Sequence, residues 1–194
     1  MRGGSKGSVV YDGVRIDDYM INPETRTAGA ANNLVGIGVF CHEFGHNLGL
    51  PDLYDTDALN GDSEGVGEWA LMGSAGWLGG EHQPGNFCAW AKEELGWASP
   101  IMLTVGQSGE YVLPEASSDH DAMYRINTSK SNEYFLLENR QKTGLDQALR
   151  GTGLAIWHIN TSKTNSFGNR VNADELVKGV DLEEADGRND LDRE

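Results

Sequence analysis

At 194 residues, with 38% hydrophobic and 23% charged side chains, the chain can bury a core and is too apolar for a disordered polymer. Lys and Arg number 15 against 30 Asp and Glu, a formal charge of −15; with no basic cluster to offset it, this excludes nucleic acid and anionic membrane surfaces as partners. No apolar run is long enough to span a bilayer, and 26 glycines point to turns and tight loops rather than to a helical bundle.

The first eight residues, Met1 to Ser8, lack the apolar stretch of a signal peptide and read as a flexible leader. Residues 9–22 hold short β-type runs around Asp12-Gly13, a hairpin turn. Residues 23–33 form a small-residue linker in which Asn32 or Asn33 can cap the next helix. That helix is residues 34–48, LVGIGVFCHEFGHNL. Ile37, Phe40, Phe44 and Leu48 recur at spacings of three and four and make one apolar face, and His42 and His46 share a neighbouring one. Gly49 stands where a left-handed residue ends a helix, and Pro51 prevents its resumption.

Residues 52–68 are a loop with six carboxylates and no Lys or Arg. Asp55, Asp57, Asp62 and Glu64 could hold structural Ca2+ through hard oxygen ligands, but the EF-hand spacing is absent and a solvated loop is the favoured reading. Residues 69–80 are glycine-rich turns, and residues 86–97 read as a second amphipathic helix ended near Gly96. After Pro100 the runs MLTV, GEYVL, AMYRI, EYFLLENR and GLAIWHI are β-type and separated by turn residues, which predicts an antiparallel sheet or sandwich. The fold class is therefore α+β, with a boundary at 98–101 between a helix-bearing region (1–99) and a β-rich segment (100–194). In that segment Glu138 and Arg140 share a strand face and can pair, while His158 alternates with Trp157 and Ile159 and reads as a structural histidine. Cys41 and Cys88 lie in apolar, helix-like stretches; buried free thiols are the simpler reading, and a bridge between them stays open.

The chemistry is concentrated in His42-Glu43-Phe44-Gly45-His46. On a helix, imidazoles four residues apart project together and can share one Zn2+ at about 2 Å, while the adjacent Glu43 is placed to take a proton from water rather than to bind metal. The continuation, HEFGHNLGLPD, fits HExxHxxGxxD. Gly49 lets the chain break after the second histidine, and Asp52, where metzincins carry a third histidine, offers a carboxylate oxygen. Three protein ligands leave a fourth position for water, the composition of a catalytic rather than a structural zinc site. Met72, in the turn-rich WALMGSAGW, stands where metzincins place a methionine turn beneath the metal. Tyr54 and His82 are nearby in sequence as candidate oxyanion donors and are not assigned to the site.

HEFGHNLGLPDLYDTD, GEWALMGSAGW, EYFLLENRQ, GLAIWHI and VDLEEADG together resemble the immune-inhibitor-A-like family of secreted bacterial metallopeptidases. The resemblance implies a zincin-like catalytic core with its active-site helix, followed by a β-rich segment. It implies an extracellular zinc endopeptidase acting on protein or peptide substrates, often with structural calcium. His42, His46 and Asp52 would then bind zinc, Glu43 would be the general base and Met72 the methionine-turn residue. Such enzymes carry a longer stretch before the active-site helix than the 33 residues preceding position 34, so part of the cleft wall is expected to be missing, and the ending looks cut short. The rival readings are a truncated or inactive relative that binds zinc without turnover, a β-rich interaction module, and a zinc hydrolase of non-peptide amides.

Overall fold

The computed structural model describes residues 9–16, 19–27, 33–61, 63–119, 121–165 and 169–192; the leader read at residues 1–8 lies outside them. Strands β1 (Val9–Tyr11) and β2 (Val14–Ile16) pair antiparallel through Asp12 and Gly13, whose φ values of 50° and 78° are the two left-handed residues that a tight hairpin turn requires.

Helix α1 spans Ile37–Asn47, inside the predicted 34–48. Its cap differs from the expected one. Gly36 is the capping position, Asn33 supplies no bond to it, and Asn32 lies outside the described residues. The Gly36 N–H instead donates to Glu81 Oε2 at 2.8 Å, from the end of the 3-10 segment Ala75–Glu81. A carboxylate there complements the positive end of the helix, and Glu81 is buried and paired with Arg26.

The helix is also oriented differently from the periodicity of its large residues. Ile37, Phe40 and Phe44 are 58%, 39% and 51% exposed, whereas Gly38 and Gly45 face inward. A Cβ at Gly38 would strike the Gly76 backbone, and one at Gly45 the Met72 sulfur. The buried side is thus the glycine side, where absent side chains let α1 approach the 70s segment backbone to backbone. Helix α2 (Ala89–Glu94) is shorter than the predicted 86–97 and buries Ala89, Trp90, Ala91 and Lys92.

The second half is one five-stranded sheet: β3 (Ile101–Leu103), β4 (Tyr124–Asn127), β5 (Glu133–Arg140), β6 (Gly153–Asn160) and β7 (Val180–Leu182), in that order. β3 runs parallel to β4 and the other pairs are antiparallel, so the sheet is mixed. α2 packs on β5 and β6, so a helix occupies the place of a second β-layer in the predicted sandwich alternative. The run GEYVL forms no strand; the Val112 carbonyl accepts from the Tyr124 hydroxyl at 2.6 Å.

Alternation along β5 and β6 sends Tyr134, Leu136, Trp157 and Ile159 inward, with Leu136 opposite Trp157. They join Leu53, Val66, Met72, Trp90 and Ala98 in one apolar core that crosses from the first half of the chain to the second. Within it lies a fully buried ionic cluster. Arg140 pairs with Glu138 (3.1 Å) and, through two nitrogens, with Asp146 (2.8 and 2.7 Å); Lys92 donates to Glu138 (3.1 Å), as does the Trp157 indole (3.0 Å). Arg140 also donates to the Trp69 carbonyl at 2.7 Å. His158 is on the opposite sheet face, stacked on Phe135 and between Glu133 and Glu183. Cys41 and Cys88 are free thiols.

Candidate metal centre

One turn of α1 separates His42 from His46, so their rings lie side by side, with centroids 4.9 Å apart and planes nearly perpendicular. The chain then turns sharply. Gly49 adopts φ 104°, Leu50 N–H donates to the Gly45 carbonyl at 3.1 Å, and the irregular stretch after Leu50 brings Asp52 back towards the helix. Asp52 Oδ1 lies 3.0 Å from His42 Nε2 and 3.2 Å from His46 Nε2.

The other ring nitrogens are engaged by backbone. His42 Nδ1 meets the Leu71 carbonyl and His46 Nδ1 the Leu50 carbonyl, each at 2.8 Å. A carbonyl can only accept, so both Nδ1 atoms carry hydrogen, and each Nε2 is the nitrogen turned to Asp52, where a metal would displace any proton shared with the carboxylate. The edge of a tetrahedron with ~2 Å metal bonds is about 3.3 Å. The observed Nε2–Oδ1 separations match two such edges, and all three donor atoms lie within 4.8 Å of one another. Two imidazoles and one carboxylate with an open fourth position fit a divalent ion such as zinc.

The charge state suits the same purpose. Burial opposes ionisation of Asp52, but hydrogen bonds from His42, His46 and Asn169 and the charge on His46 outweigh it and hold the carboxyl well below the usual range. Burial likewise works against a charged His46, yet the bonds to Asp52 and the Leu50 carbonyl and the nearby charges of Asp52 and Glu43 raise it overall. The site therefore offers an ionised oxygen, and a proton on His46 would compete with a metal there.

Met72 is fully buried under α1, its sulfur against Gly45, and its carbonyl accepts the Leu53 N–H at 2.8 Å. The turn carrying it thus braces both segments of the cluster: the Leu71 carbonyl meets His42, and the Met72 carbonyl holds the residue after Asp52. Glu43 is half-buried and lines, with His42, Tyr54, Trp69, Trp77 and Arg150, an open cleft of about 1430 Å³. Tyr54 stacks almost parallel to His42 at 6.3 Å, and burial together with the charges of Asp52 and Glu43 pushes its phenol up. His82 does not line that cleft.

Most carboxylates of the acidic loop have partners, although Asp55 Oδ2 is buried without one. Asp55 accepts from Asp57 N–H, Asp57 from Leu59 N–H and Arg170, and Glu64 from Ser74; Asp62 lies outside the described residues. Among the described residues, the only other converging carboxylates are Glu184, Asp186 and Asp190, which are largely exposed. The calcium possibility raised for this loop gains no support: among the described residues Asp55, Asp57 and Glu64 form no converging ligand group.

Residues 3–98 match the immune inhibitor A peptidase M6 catalytic domain. The first half of the chain is similar to the immune inhibitor A peptidase M6 family. Over 80 residues it is 44% identical to the pre-pro-metalloprotease PrtV of Vibrio cholerae, a stretch covering 40% of this chain and 8% of that one. Over 78 residues it is 41% identical to immune inhibitor A of Bacillus thuringiensis subsp. alesti, covering 39% and 10% respectively. The matched stretch therefore spans about a tenth or less of these curated relatives.

The matched domain is that of a peptidase family, and His42, His46 and Asp52 form a cluster that could hold a metal. Among the described residues no helix is long and apolar enough to cross a membrane. Asn169 is the neighbour of this cluster that the sequence did not disclose. It contacts Asp52 from 117 residues away, and no local pattern marks it.

Proposed function

We propose that the chain is a zinc-dependent endopeptidase core in which His42, His46 and Asp52 hold the metal and Glu43 is the general base. The observation that carries this is the convergence of His42 Nε2 and His46 Nε2 on one Asp52 oxygen, beside a glutamate in an open cleft. Zinc bound there supplies Lewis acidity, acidifying water and polarising the scissile carbonyl. Glu43, next to His42 and facing the cleft, accepts the proton of the attacking water and returns it to the departing amine. The Nδ1 bonds to Leu71 and Leu50 keep both imidazoles in one tautomer and orientation through the cycle. The Trp69 and Trp77 rings give the cleft apolar surface for substrate side chains. Substrates would be proteins or peptides and the setting extracellular, as the resemblance to secreted peptidases implies.

The test is casein cleavage by the zinc-loaded chain, with chelator and Glu43→Gln controls. Cleavage abolished by chelator and reduced roughly 10²–10⁴-fold by Glu43→Gln, with zinc retained, supports the assignment. Zinc uptake without cleavage would favour an inactive relative, and neither would favour an interaction module.

A further inference from the structure

Asn169 meets Asp52 at two points. Its Oδ1 accepts the Asp52 N–H at 2.6 Å, and its Nδ2 donates to Asp52 Oδ2. Oδ2 is the oxygen turned away from His42 and His46, both of which face Oδ1. The segment bearing Asn169 is fastened to the same loop: Thr56 Oγ1 donates to the Asn169 carbonyl at 2.9 Å, and Arg170 pairs with Asp57 at 2.8 Å.

A carboxylate on a short side chain can rotate and exchange its oxygens. A donor held on Oδ2 stops that rotation and leaves Oδ1 as the oxygen presented to a metal. The residue must bring a donor, since a second carboxylate at that place would repel the first, and it must tolerate φ 60°, the left-handed region that asparagine enters more readily than most residues. An asparagine satisfies both demands.

We infer that Asn169 is the positioning residue of the third metal ligand, selecting single-oxygen coordination through Asp52 Oδ1. The inference rests on the reading of His42, His46 and Asp52 as the metal site. Through it the second half of the chain, beyond the sheet strand β6, takes part in metal affinity without touching the metal.

The experiment is a zinc dissociation constant, measured on the metal-stripped chain by competition with a chromophoric chelator, alongside the melting temperature of the metal-free protein and the visible spectrum of the Co2+-loaded form. Asn169→Gly keeps the backbone freedom and deletes the amide; Asn169→Asp keeps the shape and the acceptor but replaces the donor with a charge. Both are expected to weaken zinc binding by roughly 10–100-fold and to shift the Co2+ bands. Parent-like affinity and an unchanged Co2+ spectrum overturn the inference, and so does a lowered melting temperature with zinc affinity intact. Should Asn169→Gly fail to fold, Asn169→Asp decides by the same criteria. A parent chain that takes up no zinc overturns the metal-site reading itself, and this inference with it, an outcome distinct from a parent that binds and variants that bind equally well.

Discussion

Glu43 lies one position along the helix from His42, and the proposed division of labour between them separates by experiment. Removing the charge of Glu43 takes away a proton acceptor and no metal ligand, so Glu43→Gln should retain one zinc per chain while losing roughly 10²–10⁴-fold in turnover; metal analysis beside casein kinetics checks it. Parent-like kinetics would remove Glu43 from the chemistry. His42, Glu43 and His46 were legible in the sequence because helical periodicity fixes the relation of residues four apart. Asp52 was legible because Gly49 and Pro51 announce the turn that returns it. Asn169 was not, since a contact across 117 residues depends on where the sheet places the chain.

Helix α1 was legible as an element, but its orientation was not. Counting bulky residues predicts that Ile37, Phe40 and Phe44 face the core; the core side is instead formed by Gly38 and Gly45, which a scale of side-chain hydrophobicity scores as neutral. Close backbone contact decides the orientation. Alanine has the better intrinsic helix propensity, by about 1 kcal/mol, yet a methyl group at Gly38 would meet the Gly76 carbonyl, which belongs to backbone and cannot swing aside. Gly38→Ala is therefore expected to destabilise by about 1–3 kcal/mol despite the propensity gain, read from urea denaturation. A neutral or stabilising effect would contradict the packing described for α1. The capping glutamate was hidden for a related reason: Glu81 is 45 residues from Gly36, and the local candidates Asn32 and Asn33 looked sufficient. β7, Val180–Leu182, was hidden because Asp181 stands at its centre and Glu183 and Glu184 follow it, which masks it as an apolar run.

At the scale of the molecule, the apolar core and the ionic cluster of Lys92, Glu138, Arg140 and Asp146 join the helix-bearing half to the sheet. Two cations and two anions neutralise one another, and Arg140 extends the link to the Trp69 carbonyl, three residues before Met72. The pairing of Glu138 with Arg140 was legible from their spacing on one strand; Lys92 and Asp146 were not, because they come from other elements. Burial opposes ionisation of Glu138, but the charges of Arg140 and Lys92 and their hydrogen bonds prevail and lower its pKa. A depressed carboxyl stabilises the fold fully above the unfolded value of about 4.3 and loses that contribution as pH falls towards its folded value. Glu138→Gln should thus cost about 3–5 kcal/mol at neutral pH and flatten the loss of stability below about pH 4. Denaturant melts across pH 3–7 check both, and an unchanged acid limb would show that Glu138 is not the group responsible.

All of these scales meet at the proposed metal site. The most direct measurement is an anomalous difference map collected on either side of the zinc absorption edge from crystals of the zinc-loaded chain. The account predicts one peak, about 2 Å from His42 Nε2, His46 Nε2 and Asp52 Oδ1. A map with no peak there, or with zinc bound through other residues, would contradict it.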